Sequence, residues 1–256
     1  MVVFAHGYGC DQNVWQPVVD ALPGCRRVLF DWPGAGRSDP GAYHPERHAR
    51  LDGYAEDLLA LLDALDLHDV TLVGHSVAAS IALLAAAADD RRLGRLVLVA
   101  PSPCFLDDPP GYFGGFERAQ LDDLVDGLAR AHQAWSRAMA PVIMGTPDRP
   151  ALAADLASRF CAMDPDIALR WARATFFADV RGVVPQVRRP CTVLQCTDDA
   201  LAPAAVGEWL ARHLPAAQLQ VLQARGHCPH MSALAEVAAA IAAALREPRP
   251  DHRTPP

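Results

Sequence analysis

The chain has 256 residues, 51% of them hydrophobic and 21% charged, with a formal net charge of -7 at pH 7. That length supports one large α/β domain or two small ones around a sizeable core, and an acidic chain without a Lys/Arg run excludes a nucleic-acid-binding class. Met1, Val2, Val3, Phe4 and Ala5 lack the charged start of a signal peptide, and the alanine-rich run 81–88, closed by Asp89 and Asp90, is too short to cross a bilayer. The seven cysteines (Cys10, Cys25, Cys104, Cys161, Cys191, Cys196 and Cys228) never form a C-x-x-C pair. They read as buried, reduced thiols of a cytoplasmic protein.

Residues 2–5 read as a short buried strand that runs into His6, Gly7, Tyr8 and Gly9. A helix is expected over 13–22 and a second strand over 27–31, followed by a turn-rich loop at 32–39. Leu51, Tyr54, Leu58, Leu61, Leu62 and Leu65 share one helical face, which predicts an amphipathic helix over 51–65. A strand at 70–73, a helix at 77–87 and a strand at 95–100 follow. From 105 to 184 no strand pattern appears. Leu121, Leu124, Val125 and Leu128 have helical spacing, as do Leu152, Leu156 and Phe160, and Asp164 with Pro165 reads as an N-cap with a first-turn proline. This stretch is therefore expected to be a helical cap at 105–184, set into a core formed by 1–104 and 185–245. The core resumes with a strand at 192–196, a helix at 204–213, a strand at 218–222 and a helix at 231–245, and a Pro-rich, charged tail over 246–256 is expected to be disordered. Alternating strands and helices predict a mostly parallel sheet with helices on both faces, and a site at the carboxyl ends of its strands.

One stretch carries the chemistry. The strand ending at Gly74 and His75 meets Ser76, Val77 and Ala78 at the start of a helix. A serine at such a sharp turn tolerates only small residues around it, and the turn exposes its hydroxyl as a nucleophile. The strand at 192–196 leads to Asp198 and Asp199, and the strand at 218–222 leads to Gly226 and His227. The order Ser–Asp–His along the chain suits a nucleophile, an orienting acid and a base. Asp199, four residues before Pro203, is the preferred acid, while Asp198 is expected to cap or face solvent. The backbone N–H groups of Tyr8 and Val77 are expected to form an oxyanion hole, and His6 to brace its loop. A metal reading of His227, Cys228, Pro229 and His230 finds no second ligand cluster and no H-E-x-x-H helix, so neither metal nor cofactor is expected. Phe105, Phe116, Trp135, Met139, Phe160, Phe176 and Phe177 are candidates for the substrate pocket, each of which also reads as ordinary cap core.

These and further stretches (Gly7 to Trp15, Gly74 to Val77, Pro101 to Leu106, Asp108 to Pro110 with Gly114 to Glu117, Ser158 to Cys161, Leu194 to Cys196 and Ala224 to Ser232) make the chain resemble the RsbQ-type α/β-hydrolases. These are bacterial regulators of the sigma-B energy-stress pathway, and the plant strigolactone and karrikin receptors are similar to them. The resemblance implies the α/β-hydrolase fold, a Ser76–His227–Asp199 triad and a V-shaped cap of four helices over a small apolar pocket. In that family the bacterial member works with a phosphatase carrying a PAS sensor domain, and the plant members hydrolyse a butenolide hormone slowly while signalling through partner proteins. Two departures stand out. Ala78 replaces a common glycine, and the chain starts inside the first strand, where the family has an antiparallel β-hairpin ahead of it. The expectation is either a start codon set too late or a shortened sheet, with the strand at 27–31 as an edge bearing Val28 and Phe30 that another surface must protect. Two functions are expected to compete: hydrolysis of a small apolar ester or lactone, and a ligand receptor or signalling adaptor with slow or vestigial hydrolysis.

Overall fold

The computed structural model describes residues 1–22 and 24–247. In chain order, β1 (Val2–Ala5), a 3₁₀ turn (Gln12–Trp15), α1 (Gln16–Asp20), β2 (Arg27–Leu29), α2 (Leu51–Ala64), β3 (Val70–His75), α3 (Val77–Ala88) and β4 (Leu93–Val99) come first. Four helices follow, α4 (Arg118–Arg130), α5 (His132–Met144), α6 (Pro150–Ala162) and α7 (Pro165–Phe176). The chain returns with β5 (Cys191–Asp198), α8 (Ala204–His213), β6 (Ala217–Arg225), α9 (Pro229–Ser232) and α10 (Leu234–Arg246).

The described strands form one six-stranded, all-parallel sheet in the order β2-β1-β3-β4-β5-β6. The central strands are buried at nearly every position because both faces are covered. Alternate side chains serve opposite layers: Val3, Leu72, Leu96 and Val193 join Tyr54, Leu58 and Ile81 of α2 and α3, whereas Phe4, Val73, Val97 and Leu194 join Trp15, Val237 and Ile241 on the α1 and α10 side. The edge strand β6 instead has exposed positions throughout: Gln218, Gln220, Val221, Gln223 and Arg225 are exposed, and the alternation changes phase at Val221.

β2 is the other edge, as expected from the sequence, and it stops at Leu29 rather than at Asp31. The Asp31 carboxylate is engaged by the loops instead, accepting from the Gln12 N–H at 2.7 Å and from the Arg37 N–H at 2.9 Å. Val28 and Phe30 are only partly exposed, and the Phe30 ring packs edge-on against Trp32 with centroids 4.7 Å apart. The single helix expected over 13–22 is a 3₁₀ turn followed by α1. The Asp11 carboxylate caps Asn13 and Pro17 falls in the first turn of α1, so the chain makes a new start there. The helix expected over 231–245 is likewise two helices, α9 and α10. Of the expected tail, Arg246 ends α10 and the Glu247 carboxylate pairs with the buried Arg95; residues 248–256 lie outside the described residues.

Helices α4 to α7 lie over the carboxyl ends of the strands, and their two ends are fastened together. Cys104 bridges to Asp179, and the Val180 N–H donates to the Pro103 carbonyl at 2.8 Å. Arg181 then pairs with both Asp108 and Asp179. Two further ties hold these helices to the loops below. Arg159 on α6 reaches Asp11 at 2.9 Å, and the Ile143 carbonyl on α5 accepts from the His227 N–H at 2.8 Å.

Candidate active site

Ser76 occupies a backbone conformation that L-residues avoid, with φ of 56° and ψ of -122°, between β3 and α3. The cost of such strain is of order 1–3 kcal/mol, and the packed β3–α3 unit sustains it. The turn is too tight for a side chain at Gly74, where a Cβ would come within 2.7 Å of the Ala78 carbonyl oxygen. Ala78 itself is fully buried there, so its methyl group is accommodated.

The Ser76 hydroxyl donates to His227 Nε2 at 2.7 Å, and His227 Nδ1–H donates to Asp199 Oδ2 at 2.8 Å. The second carboxylate oxygen of Asp199 accepts from the Leu201 and Ala202 N–H groups at 2.8 and 3.1 Å. Burial would raise the Asp199 carboxyl, but the facing His227 and these hydrogen bonds outweigh it and hold it below the usual carboxylate range. Asp198 is exposed, and its carbonyl serves the turn by accepting from the Gly226 N–H at 2.7 Å. Gly226 has φ of +80°, and a Cβ there would fall 1.9 Å from the Met144 carbonyl oxygen, so only glycine lets the His227 loop pass under α5.

His75 ties three loops together. Its Nε2–H donates to the His227 carbonyl at 2.7 Å, its backbone precedes Ser76, and Gly7 lies so close that a Cβ there would sit 2.6 Å from His75 Nδ1. Burial first, then the proximity of His227, pushes its pKa down to about 3, so the ring is neutral. His230 is fully buried with its ring between those of Trp15 and His75, at 4.6 and 4.3 Å, and burial likewise lowers its pKa. His6 does brace its loop: Nδ1–H donates to the Gly7 carbonyl at 2.9 Å, and Nε2 accepts from the Trp32 N–H at 3.3 Å.

Tyr8 lies in the loop after β1, and Val77 opens α3, where the first amides of a helix have no intrahelical acceptor. Neither N–H has an acceptor among the turn and loop hydrogen bonds of the described residues. Gly9, with φ of +73°, lets that loop run beneath Phe160, whose ring would meet a Cβ at 2.2 Å.

A narrow, largely apolar cavity of about 30 Å³ lies beside Ser76 and His227. Phe105, Trp135, Phe160 and Phe176 line it together with Tyr8. Phe116, Met139 and Phe177, also expected there, are not among its lining. Phe116 packs behind Phe105, with centroids 6.4 Å apart. Phe177 caps the end of α7, one residue past Phe176, and faces an outer groove with the Arg118 guanidinium 4.7 Å above its ring. Met139 is one turn beyond Trp135 on α5 and packs, partly buried, against the aromatic core. The cavity adds residues the sequence reading did not single out, among them Cys10, Ile143, Leu156, Thr175, Leu201 and Cys228. Leu201 and Cys228 flank the aspartate and histidine in sequence, a signal that was available; Ile143 and Leu156 look like any core-facing residue of a helix. Burial pushes the Cys10 thiol up to about 12 and the Cys228 thiol well above its ordinary value, so neither is a thiolate at neutral pH. No cluster of three or more metal-ligating side chains occurs among the described residues.

A parallel sheet with a strained serine at a strand–helix turn, answered by a histidine and an aspartate from later strand ends, defines an α/β hydrolase. The profile of the Alpha/beta hydrolase family matches residues 2–240, and the chain belongs to that family. It is 38% identical to a probable esterase of Oryza sativa subsp. japonica over 91% of this chain and 86% of the rice protein. It is 35% identical to the "Karrikin insensitive 2 receptor CA" of Petunia hybrida over 90% of this chain and 86% of that one. Among solved structures, a hydrolase from Oleispira antarctica superposes with a TM-score of 0.94 at 36% identity, over 96% of this chain and 91% of the other.

Proposed function

We propose that this protein is a serine hydrolase that cleaves small apolar esters or lactones, with Ser76 as nucleophile, His227 as general base and acid, and Asp199 orienting the imidazole. The observation that carries this reading is the unbroken hydrogen-bond series from Ser76 Oγ through His227 to Asp199, at 2.7 and 2.8 Å, opening on an apolar cavity. In this scheme Ser76 Oγ attacks the acyl carbon while its proton passes to His227 Nε2. The oxygen that gains charge is received by the Tyr8 and Val77 amides, each such donor being worth about 3–4 kcal/mol in the transition state. The imidazolium, stabilised by Asp199, protonates the leaving oxygen, and water then releases the acid by the same path. Residues 105–184 act as the cap over a core of 1–104 and 185–245, and Phe105, Trp135, Phe160 and Phe176 exclude water from the acyl group. The test is p-nitrophenyl butyrate hydrolysis by the wild type, Ser76→Ala and His227→Ala proteins. A loss of at least about 10³-fold in kcat is expected for both variants; undiminished turnover by Ser76→Ala would overturn the reading.

A second reading is favoured by the receptor among the relatives. Here the chain is a cytoplasmic ligand receptor of the RsbQ type, in which binding or slow turnover alters how the cap engages a signalling protein such as a PAS-domain phosphatase. Ser76→Ala separates the two. Regulation in cells that survives the loss of ester cleavage favours the receptor, and regulation lost with cleavage favours the enzyme.

A further inference from the structure

We propose that Thr175 is the polar anchor of the cavity beside Ser76, and that the preferred acyl group carries a second oxygen, of ether or ring type, which Thr175 hydrogen-bonds. This deepens the hydrolase reading above and rests on it.

The proposal follows from what each polar side chain lining the cavity already does. Ser76 and His227 are bonded to each other. The Tyr8 hydroxyl donates to the Ala168 carbonyl at 3.1 Å. His75 donates from Nε2 to the His227 carbonyl, and its Nδ1, also without a partner among the described residues, is covered by Gly7. Cys10 and Cys228 offer only weak thiol donors, and Trp135 is only partly buried. Thr175 is different. It is 3% exposed, it lines the cavity, and its Oγ1 has no partner among the described residues.

That hydroxyl has an obvious local partner that it does not use. A helical threonine ordinarily turns its hydroxyl onto the carbonyl three or four residues back, which on α7 means Ala172 or Trp171. Leaving a buried hydroxyl unbonded is destabilising. Rotation about χ1 breaks no hydrogen bond, so Oγ1 is free to turn towards the cavity that Thr175 lines. A trapped water finds few partners, since it needs two to four polar neighbours, and the Tyr8, Ser76 and His227 side chains of the lining are already hydrogen-bonded while the rest of the wall is mostly apolar. A ligand oxygen, carried in on an apolar body, meets the requirement. The acyl side is the relevant one because the acyl group stays on Ser76 through both half-reactions, whereas the alcohol leaves after the first.

Two pairs of matched esters test this: p-nitrophenyl butyrate against methoxyacetate, and p-nitrophenyl pentanoate against 3-methoxypropanoate. In each pair one methylene becomes an ether oxygen. The ratio of kcat/KM values within a pair, compared between wild type and Thr175→Val, cancels the intrinsic reactivity of the esters. The expected result is a fall of about fivefold to tenfold in the oxygenated-to-hydrocarbon ratio for at least one pair. Thr175→Ser keeps the wild-type ratio, and Thr175→Val folds with an unchanged or higher Tm because a buried unbonded hydroxyl is removed. A second measurement needs no turnover. In the Ser76→Ala protein, tryptophan fluorescence titrations with 2-heptanone and 5-methoxy-2-pentanone should show a preference for the ether that Thr175→Val abolishes. Ratios within twofold of wild type for both ester pairs, or ketone affinities unmoved by Thr175→Val, would overturn the assignment. Hydrolysis that persists in Ser76→Ala would instead overturn the hydrolase reading, while the ketone titration still decides the role of Thr175.

Discussion

Replacing His75 by glutamine is expected to make the stability of this protein less sensitive to acid. His75 is 3% exposed, its Nε2–H is held by the His227 carbonyl at 2.7 Å, and its pKa in the folded state is about 3. Burial is the main cause, helped by His227 and opposed by the carbonyl bond and by Asp199. In the unfolded chain the same ring returns to its ordinary value of 6.5. Between those two values the unfolded state binds a proton that the folded state does not, so stability is full above pH 6.5 and falls as pH decreases towards 3. At pH 5 the gap already traversed is 1.5 pH units, or about 2 kcal/mol at 1.36 kcal/mol per unit. Glutamine can still donate to the His227 carbonyl but does not titrate. Asp199 titrates in both proteins, and His230 is lowered chiefly by burial, which the substitution leaves in place. Urea unfolding of the two proteins at pH 7.5 and pH 5 measures the effect. Whatever the substitution costs at pH 7.5, that cost is expected to shrink by about 2 kcal/mol at pH 5. A difference between the proteins that is the same at both pH values, within about 0.5 kcal/mol, would refute the reasoning.

Asp199→Asn is expected to lower kcat for p-nitrophenyl butyrate by about 10³–10⁴-fold with little change in KM, because the imidazole loses its charged partner and its tautomer is no longer fixed; Asp198→Asn, altering an exposed side chain, is expected to leave kcat unchanged. Gly9→Ala places a methyl group 2.2 Å from the Phe160 ring at a φ of +73°. The backbone alone makes this cost about 1–2 kcal/mol, and differential scanning calorimetry should show Gly9→Ala/Phe160→Ala recovering part of the combined single-variant losses, because the methyl then meets no ring. Arg159→Met removes the bridge from α6 to Asp11, both side chains being about three-quarters or more buried. A loss of about 1 kcal/mol in urea unfolding is expected, and it should shrink in an Asp11→Asn background, the remainder belonging to the pair that Arg159 also makes with Asp155 at 3.2 Å.

The fold was legible where periodicity is strong. The run of apolar residues in 70–73 followed by Gly74 and an alanine-rich helix could form little else than a buried strand, a sharp turn and a buried helix. The pairing of Asp199 rather than Asp198 with His227 followed from spacing, and the geometry gives the physical reason: Asp199 is held inward by the Leu201 and Ala202 amides. Strand and helix ends were less legible because side chains decide them. β2 stops where Asp31 takes up loop amides, and the first helix breaks where Asp11 caps a separate 3₁₀ turn. The cavity wall was the least legible part. Phe176 and Phe177 are adjacent and chemically identical, yet one faces the cavity and the other an outer groove, because α7 ends between them. Cys10, Ile143, Leu156 and Thr175 carry no distinguishing pattern in sequence. The place of the last three beside Ser76 depends on how α5, α6 and α7 cross above the sheet, which no local spacing encodes.

The most direct test of the account is mass spectrometry after treatment with a fluorophosphonate, which reacts only with a serine whose proton can be taken by a neighbouring base. The wild-type protein is expected to gain one phosphonate, mapped to the peptide containing Ser76, while Ser76→Ala and His227→Ala remain unmodified under the same conditions. Labelling at a different residue, or equal labelling of the Ser76→Ala protein, would contradict it.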